Sequence, residues 1–267
     1  MTASTPDRAV EAAPGSGRLG GVSSFLLRLA SLAALLVIWE IASRIAGSKL
    51  LPSVGTVAAT FWEELLHGEL LRQLGITLAR VAVAFSVAMV LGAALGLAMG
   101  RWRALDLAFD GWVVLLLNLP ALVIAILAYV WFGLTEAAAI GAVAVNKLPL
   151  VAMTMREGAR SLDRGYAEMA DVFRLGAWRR LRHVVAPQLA PFLLVAARSG
   201  LSLVWKIVLV VELLGRSNGI GFELQLYFQL FDVPHILAYA LAFAGVVQLI
   251  EWGVLQPLER RAGAWRR

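Results

Sequence analysis

Long uninterrupted apolar runs alternate along this chain with short polar stretches rich in arginine, and the length of those runs sets the expected architecture. A helix needs about 20 consecutive apolar residues to cross a bilayer. Six runs reach that length, at roughly 25–46, 75–99, 106–131, 136–155, 188–213 and 235–257. The first continues into Trp39, Glu40 and Arg44 without a small-residue cleavage pattern, so it reads as a retained transmembrane helix rather than a signal peptide. An all-α integral membrane protein of about six transmembrane helices is expected. Residues 1–20, rich in Ala, Ser, Gly and Pro, read as a disordered lead, and 21–267 as the membrane domain, with its core at about 70–257.

Between the runs, the segment 51–74 carries TFWEELLHGELLRQL, an amphipathic stretch suited to lying along the outer membrane surface or packing over the next helix. The segment 214–234 has the same character, with Gly219 and Gly221 permitting a turn before a short apolar and aromatic helix. Arginines accumulate at Arg8, Arg18 and Arg28, at Arg101 and Arg103, across 156–182, and at Arg260, Arg261, Arg266 and Arg267. Six crossings place all four groups on one side, against Lys49, Arg72 and Arg216 on the other. The positive-inside bias then puts both termini in the cytoplasm.

Composition narrows the class further. Hydrophobic residues make up 60% of the 267 positions and charged residues 16%, and mean hydropathy is +0.77, all far from a soluble domain. The net charge of +6 is accounted for by the loop arginines, which leaves nucleic-acid binding without independent support. The absence of cysteine removes disulfides, thiolate catalysis and sulfur-ligated metal, and His67, His183 and His235 have no ligand spacing. No GxxxxGK[ST] phosphate loop occurs, so no nucleotide or other cofactor is assigned to this chain.

Within the apolar runs, Gly92, Gly96 and Gly100 recur every four residues and predict a face for close helix packing. Pro120 and Pro149 each remove a helix hydrogen bond and predict kinks near mid-membrane. Asn118, Asn146, Lys147, Arg198, Lys206 and Glu212 are polar groups at bilayer depth, where an unpaired charge is costly, and with Pro120 they are the candidates for a translocation path. Lys206 and Glu212 are six apart, so each needs its own partner or water. Glu212, near the end of its helix, is alternatively an anchor for the loop that follows.

The polar interruption 156–182 holds seven arginines against four acids. It contains Glu168, Met169, Val172, Phe173 and Leu175 on a short helix with Trp178 beyond, a segment too short to be stable unless its apolar face is buried on a partner or on the protein's own helices. Arg179, Arg180 and Arg182 are read as facing lipid head groups.

These residues carry a resemblance. LPSVGTV, GITLARVAVAFSVAMVLGAALGLAMGR, LLLNLPALVIAILAYVWFG, REGARSLDRGYAEMADVF, VVAPQLAP, and WKIVLVVELLG followed by NGIGFEL stand in the order found in membrane subunits of bacterial ATP-binding-cassette importers. The chain resembles the type I importer group that handles taurine, aliphatic sulfonates and nitrate. That resemblance implies a homodimer of permeases in the bacterial inner membrane, two cytoplasmic ATPase subunits carrying ATP and Mg, an extracytoplasmic solute-binding protein, and alternating access. It also implies a cytoplasmic coupling helix between the fourth and fifth spans, docked in a cleft of the ATPase. The family loop opens Glu-Ala-Ala, continues to a glycine and then to a Leu-Pro pair. Here Glu168, Met169 and Ala170 stand at the opening and Ala186 and Pro187 at the pair, with Pro191 at the second proline.

In that register the family glycine falls on Arg174, and Gly176 comes two residues late. The coupling segment is therefore assigned to Glu168, Met169, Ala170, Val172, Phe173, Arg174, Leu175 and Gly176. Either Gly176 takes over the bend with a shifted turn or the chain meets its ATPase differently. The reading set against this one is an ion-coupled transporter or channel without an ATPase, for which no inverted repeat is visible. An intramembrane enzyme is disfavoured because Ser161, Ser202 and the sparse histidines form no nucleophile and base set.

Overall fold

The computed structural model describes residues 21–255 other than Lys49, together with Pro257. The proposed N-terminal lead lies outside the described residues. The chain divides into two compact units at Val54/Gly55. In the first, α1 (Gly21–Ala46) is the first apolar run, and the segment after it folds back on its end. Trp39 Nε1 donates to Pro52 O at 3.0 Å, Ser43 Oγ to Leu51 O at 2.8 Å, and Glu40 accepts from Val54 N at 3.1 Å.

From Gly55 the second unit takes in α2 (Val54–Leu66), which holds the first part of the amphipathic stretch within 51–74, the rest of which opens the next helix from Leu70. It continues through α3 (Leu70–Arg101), α4 (Arg103–Asn118), α5 (Ala121–Phe132) and α6 (Glu136–Arg160). After α6 come α7 (Arg164–Val172), α8 (Ala177–Arg180), a π-helical turn at Leu181–Val185 and α9 (Ala186–Gly215). α10 (Ile220–Gln229) and α11 (Val233–Ile250) complete it, with a second π turn at Glu251–Leu255. Among the described residues, five helical segments are long and apolar enough to cross a membrane, or six if α4 and α5 are one broken span.

That broken span is the main difference from the apolar-run reading, which treats 106–131 as one helix with a kink. Asn118 ends α4, Leu119 and Pro120 are extended, and α5 restarts at an angle of 103° to α4. Proline disfavours helical geometry in the residue before it and supplies no N–H, so Leu119–Pro120 breaks the helix outright. Pro149 behaves differently: α6 runs through it, and its ring is buried. Each π turn ends two residues before a proline, Pro187 and Pro257. Ala186 N donates to Leu181 O, five residues back, and the widened turn relieves the clash a proline ring makes with the carbonyl four residues earlier.

α3 and α6 form the spine of this unit. A Cβ on Gly92 would collide with Val151, one on Gly96 with the Ala152 carbonyl, and one on Gly100 with Ala159 and the Arg156 carbonyl. The small-residue stripe therefore lets the two backbones touch, and dispersion between them replaces the hydrophobic drive that lipid cannot supply. Where α3 and α6 reach the α4 junction, Arg156 pairs with Asp106 at 2.6 Å and Asp110 at 2.5 Å, and Arg160 with Asp106 at 2.5 Å. These ion pairs clamp α4 to the end of α6 that leads into α7.

Candidate functional site

Three regions outside the apolar core concentrate polar chemistry, and the first is one face of α9. Arg198, Ser202 and Lys206 are exposed and spaced by four, which at 3.6 residues per turn sets them in a single stripe. Exposed ionisable groups at bilayer depth belong on a water-filled path or a protein interface rather than in hydrocarbon. Pro191 and Val195 continue the stripe toward the start of α9, where they line a groove of about 770 Å³ with Met153, Thr154, Glu157 and Gln188.

The remaining path candidates are placed less uniformly. Asn118 and Pro120 are exposed at the α4–α5 break, with Asn118 Nδ2 donating back to Val114 O at 2.8 Å, and Asn146 is half-buried. Lys147 is 2% exposed, its Nζ has no hydrogen-bond partner among the described residues, and its aliphatic stem fills the space left by the missing side chain of Gly200.

The second region lies where α3 and α6 begin and α9 ends. Arg80 is 5% exposed and Glu212 is fully buried. Arg80 Nη1 donates to Glu212 Oε1 at 2.7 Å and to Asn218 O at 2.9 Å, while its Nε and Nη2 fork onto Glu136 at 2.9 and 2.6 Å. Nη2 also reaches Asn218 Oδ1. The other Glu212 oxygen accepts from Thr77 Oγ1 and from Gly221 N, both at 2.9 Å. Thr77 in turn accepts from Ile220 N at 2.8 Å, and Gln73 bridges Gly219 N at 2.7 Å to Glu223 Oε1 at 2.8 Å.

The first N–H groups of α10, which have no partner inside that helix, are thus held by a buried carboxylate and a hydroxyl from α9 and α3. Gly219 sits at φ +103°, and a Cβ there would strike the Glu212 carboxyl. Glu212 takes the anchoring role set out as its alternative, and Lys206 lies elsewhere on α9. Arg80 is the residue that the sequence reading passed over. Its signal was present: Gln73, Thr77 and Arg80, at i, i+4 and i+7, are a polar stripe inside an apolar run. Nearby, burial pushes the Glu223 carboxyl above the usual carboxylate range, and the charges of Glu64 and Glu69 add to that.

The third region is α7 and the turn after it. Asp163 caps the helix, accepting from Gly165 N at 2.7 Å, and its own N–H donates to Gln188 Oε1 at 3.0 Å. Arg180 pairs with Asp171 at 2.7 Å and fastens α8 to α7. Glu168, Met169 and Ala170 lie inside the helix, and Ala170 is buried while Glu168 is exposed. Tyr166, Met169, Val172, Phe173 and Trp178 are exposed, Val172 at 79% and Phe173 at 71%.

The helix ends earlier than the apolar pattern suggests, so Phe173 is its cap and Arg174, Leu175 and Gly176 form the turn. Arg174 has φ +47°. Its N–H donates to Asp171 O at 3.0 Å, and Leu175 N donates to Ala170 O at 2.9 Å, the paired bonds of a Schellman ending. Gly176, at φ −59°, does not supply the bend, which excludes the shifted-turn alternative. Arg174 adopts the left-handed conformation itself.

With this geometry in view, the family described as binding-protein-dependent transport system inner membrane component matches residues 88–252. The chain belongs to that family. It is the permease subunit of an ATP-binding-cassette importer, forming the translocation path and performing no catalysis itself. The match spans both the α9 stripe and α7. This permease is 32% identical to the putative aliphatic sulfonates transport permease protein SsuC of Escherichia coli (strain K12), over 75% of this chain and 78% of that protein. It is 28% identical to the SsuC protein of Bacillus subtilis (strain 168), over 98% and 94% respectively. Its fold is that of a solved amino acid ABC transporter crystallised with histidines, at a TM-score of 0.59 and 22% identity, covering 75% of this chain and 98% of that one. Among the described residues no group of three or more His, Cys, Asp or Glu is arranged to hold a metal.

Proposed function

We propose that two copies of this permease enclose a path for a small anion, organic or inorganic, such as a sulfonate or nitrate. The observation that carries the substrate class is the exposed stripe of Arg198, Ser202 and Lys206, two cations and a hydroxyl on one face of a membrane-spanning helix. The kinship with permeases named for aliphatic sulfonates supports the same class. The groove at the start of α9 continues that face and provides the exit.

The arginine-rich ends, including both termini, face the cytoplasm, and a solute-binding protein delivers cargo at the end that carries Arg80. Two ATPase subunits bearing ATP and Mg dock on α7, whose exposed Tyr166, Met169, Val172 and Phe173 form a face large enough to be buried by a partner and too apolar to be left to water. ATP-driven approach of the two ATPases then draws the α7 helices together and switches the path.

Purification from native membrane in mild detergent tests the assembly: a stoichiometric ATPase is expected, and recovery of the chain alone refutes it. Uptake by the reconstituted complex tests the substrate class. Lys206→Gln is expected to slow uptake of a sulfonate or nitrate while the complex still assembles. Undiminished uptake removes Lys206 from the path, and loss of assembly assigns it to structure.

A further inference from the structure

The turn after α7 places a non-glycine residue, Arg174, in the left-handed conformation that glycine adopts most readily. A left-handed non-glycine residue costs about 1 kcal/mol or more, because its Cβ crowds the following carbonyl. Nothing inside the chain compensates through the side chain: among the described residues the Arg174 guanidinium is exposed and makes no ion pair or hydrogen bond. Its neighbour Arg180 behaves in the opposite way, spending its charge on Asp171 to hold α8 in place.

Geometry fixes where the free cation stands. Arg174 is the first residue beyond the helix cap Phe173, exposed and adjacent in the chain to Val172 and Phe173, both more than two-thirds exposed. A partner that buries those two side chains therefore also meets the guanidinium. Next to an apolar contact that excludes water, a carboxylate is its natural complement, since the planar fork matches two carboxylate oxygens and the surroundings lower the screening.

We propose that Arg174 reads a carboxylate on the ATPase subunit at the rim of the α7 contact, so that a charge pair at the helix end helps to select the correct ATPase. This rests on the docking role proposed for α7. The apolar contact of Val172 and Phe173 supplies the bulk of the attachment, and the rim charge supplies discrimination: an ATPase with a basic or apolar group at that place meets a desolvated, unpaired arginine. A glycine at position 174 relaxes the turn and forfeits the discrimination.

The test uses the full-length permease in nanodiscs of neutral lipid and the ATPase that co-purifies with it. Arg174→Gly and Arg174→Asn both suit a left-handed turn and both remove the charge. Each is expected to weaken ATPase binding by roughly fivefold to tenfold at low salt, with the difference closing at high salt. Arg174→Lys should retain part of the affinity and Arg174→Glu should fall below Arg174→Gly. Equal or tighter binding by Arg174→Gly overturns the proposal, because the arginine would then be only a tolerated strain. A loss seen in anionic nanodiscs and absent in neutral ones also overturns it, by assigning the guanidinium to lipid head groups. Val172→Ser combined with Phe173→Ser separates the two levels: if that pair leaves binding intact, the docking role of α7 fails and this inference with it, whereas loss with the pair and no change with Arg174→Gly refutes the charge pair alone.

Discussion

The two ends of the α3–α6 spine solve the problem of polar groups in opposite ways. At the end that carries Arg80, charges are buried and satisfied within the chain: one guanidinium joins Glu136, Glu212 and Asn218, and the carboxylate of Glu212 also holds Thr77 and the start of α10. At the other end, roughly 37 Å away along the 25 residues of α6, Arg156, Arg160 and Arg180 are paired, but apolar side chains of α7 are exposed and, among the described residues, Arg174 makes no ion pair. At the first end the Arg80 and Glu212 charges find their partners within the chain. The second exposes the apolar face on which the proposed ATPase contact rests. Under the proposed docking of an ATPase on α7, this asymmetry is what the drive requires, because force can be delivered only where the chain leaves contacts unmade and transmitted only through a part that does not yield.

The largest effect is expected from breaking the closed end. Arg80→Met leaves Glu212 buried without its cation, a change that costs about 3–5 kcal/mol when one partner of a buried pair is removed. Thermal unfolding in detergent should show a marked loss of stability or of folded yield. Val172→Ser at the open end should leave the same measurement unchanged, because that side chain is 79% exposed. If both variants unfold alike, the contrast between the ends is wrong. Next in size is the spine. Gly96→Ala drives a Cβ into the Ala152 carbonyl and forces α3 away from α6, with overpacking costs of about 1–3 kcal/mol. Stability should fall, and ATP-driven uptake should fall further than stability accounts for if the spine transmits the stroke. Unchanged stability would show that α3 and α6 part easily.

Much of this architecture was readable from the chain, for physical reasons that also mark where reading stopped. Helices in lipid must satisfy their own backbone, so an apolar run of sufficient length predicts a helix well, and the α3, α6 and α9 runs were placed within a few residues at most of their ends. The four-residue glycine spacing predicted a close approach without naming α6 as the partner, since spacing fixes a face and not what covers it. Pro120 and Pro149 read alike as kinks, yet one breaks the chain by 103° and the other lies inside a continuous helix, a difference that the chemistry of proline alone does not foretell. The Arg80 network is not legible in the sequence because its members are up to 150 residues apart. Arg174 was identified as standing at a glycine's position, but only backbone dihedrals could show that it takes a glycine's conformation.

A smaller effect sharpens the closed end by pH. Burial and the nearby Glu64 and Glu69 raise the folded-state pKa of Glu223 above its ordinary 4.5. The folded protein therefore holds this proton more tightly than the unfolded one. The associated stability is fully present below about 4.5 and is lost as pH rises through the folded value. Unfolding temperature should accordingly rise as pH is lowered from neutrality toward 5. Glu223→Gln, which keeps an acceptor for Gln73, should flatten that dependence. A dependence of the same size in the variant would place the titrating group elsewhere.

The smallest effect lies at the open end and runs against intuition. In the isolated permease, Arg174→Gly should steady the loop, because the left-handed turn no longer carries a Cβ; glycine's greater freedom in the unfolded chain offsets part of that relief, so the net gain is at most about 1 kcal/mol and local. Amide exchange at Leu175, whose N–H closes the turn on Ala170, should slow accordingly. Arg174→Ala retains the Cβ and should show no such slowing, which separates backbone relief from removal of the long side chain. Phe231, left-handed at φ +55° at the end of α10, provides an internal comparison, since Phe231→Gly should steady that ending in the same way. The two sites then diverge in the assembled complex. Relief at Phe231 should leave ATPase binding unchanged, whereas relief at Arg174 should accompany weaker binding. A substitution that stabilises the subunit and weakens its complex identifies a residue held in strain for its partner.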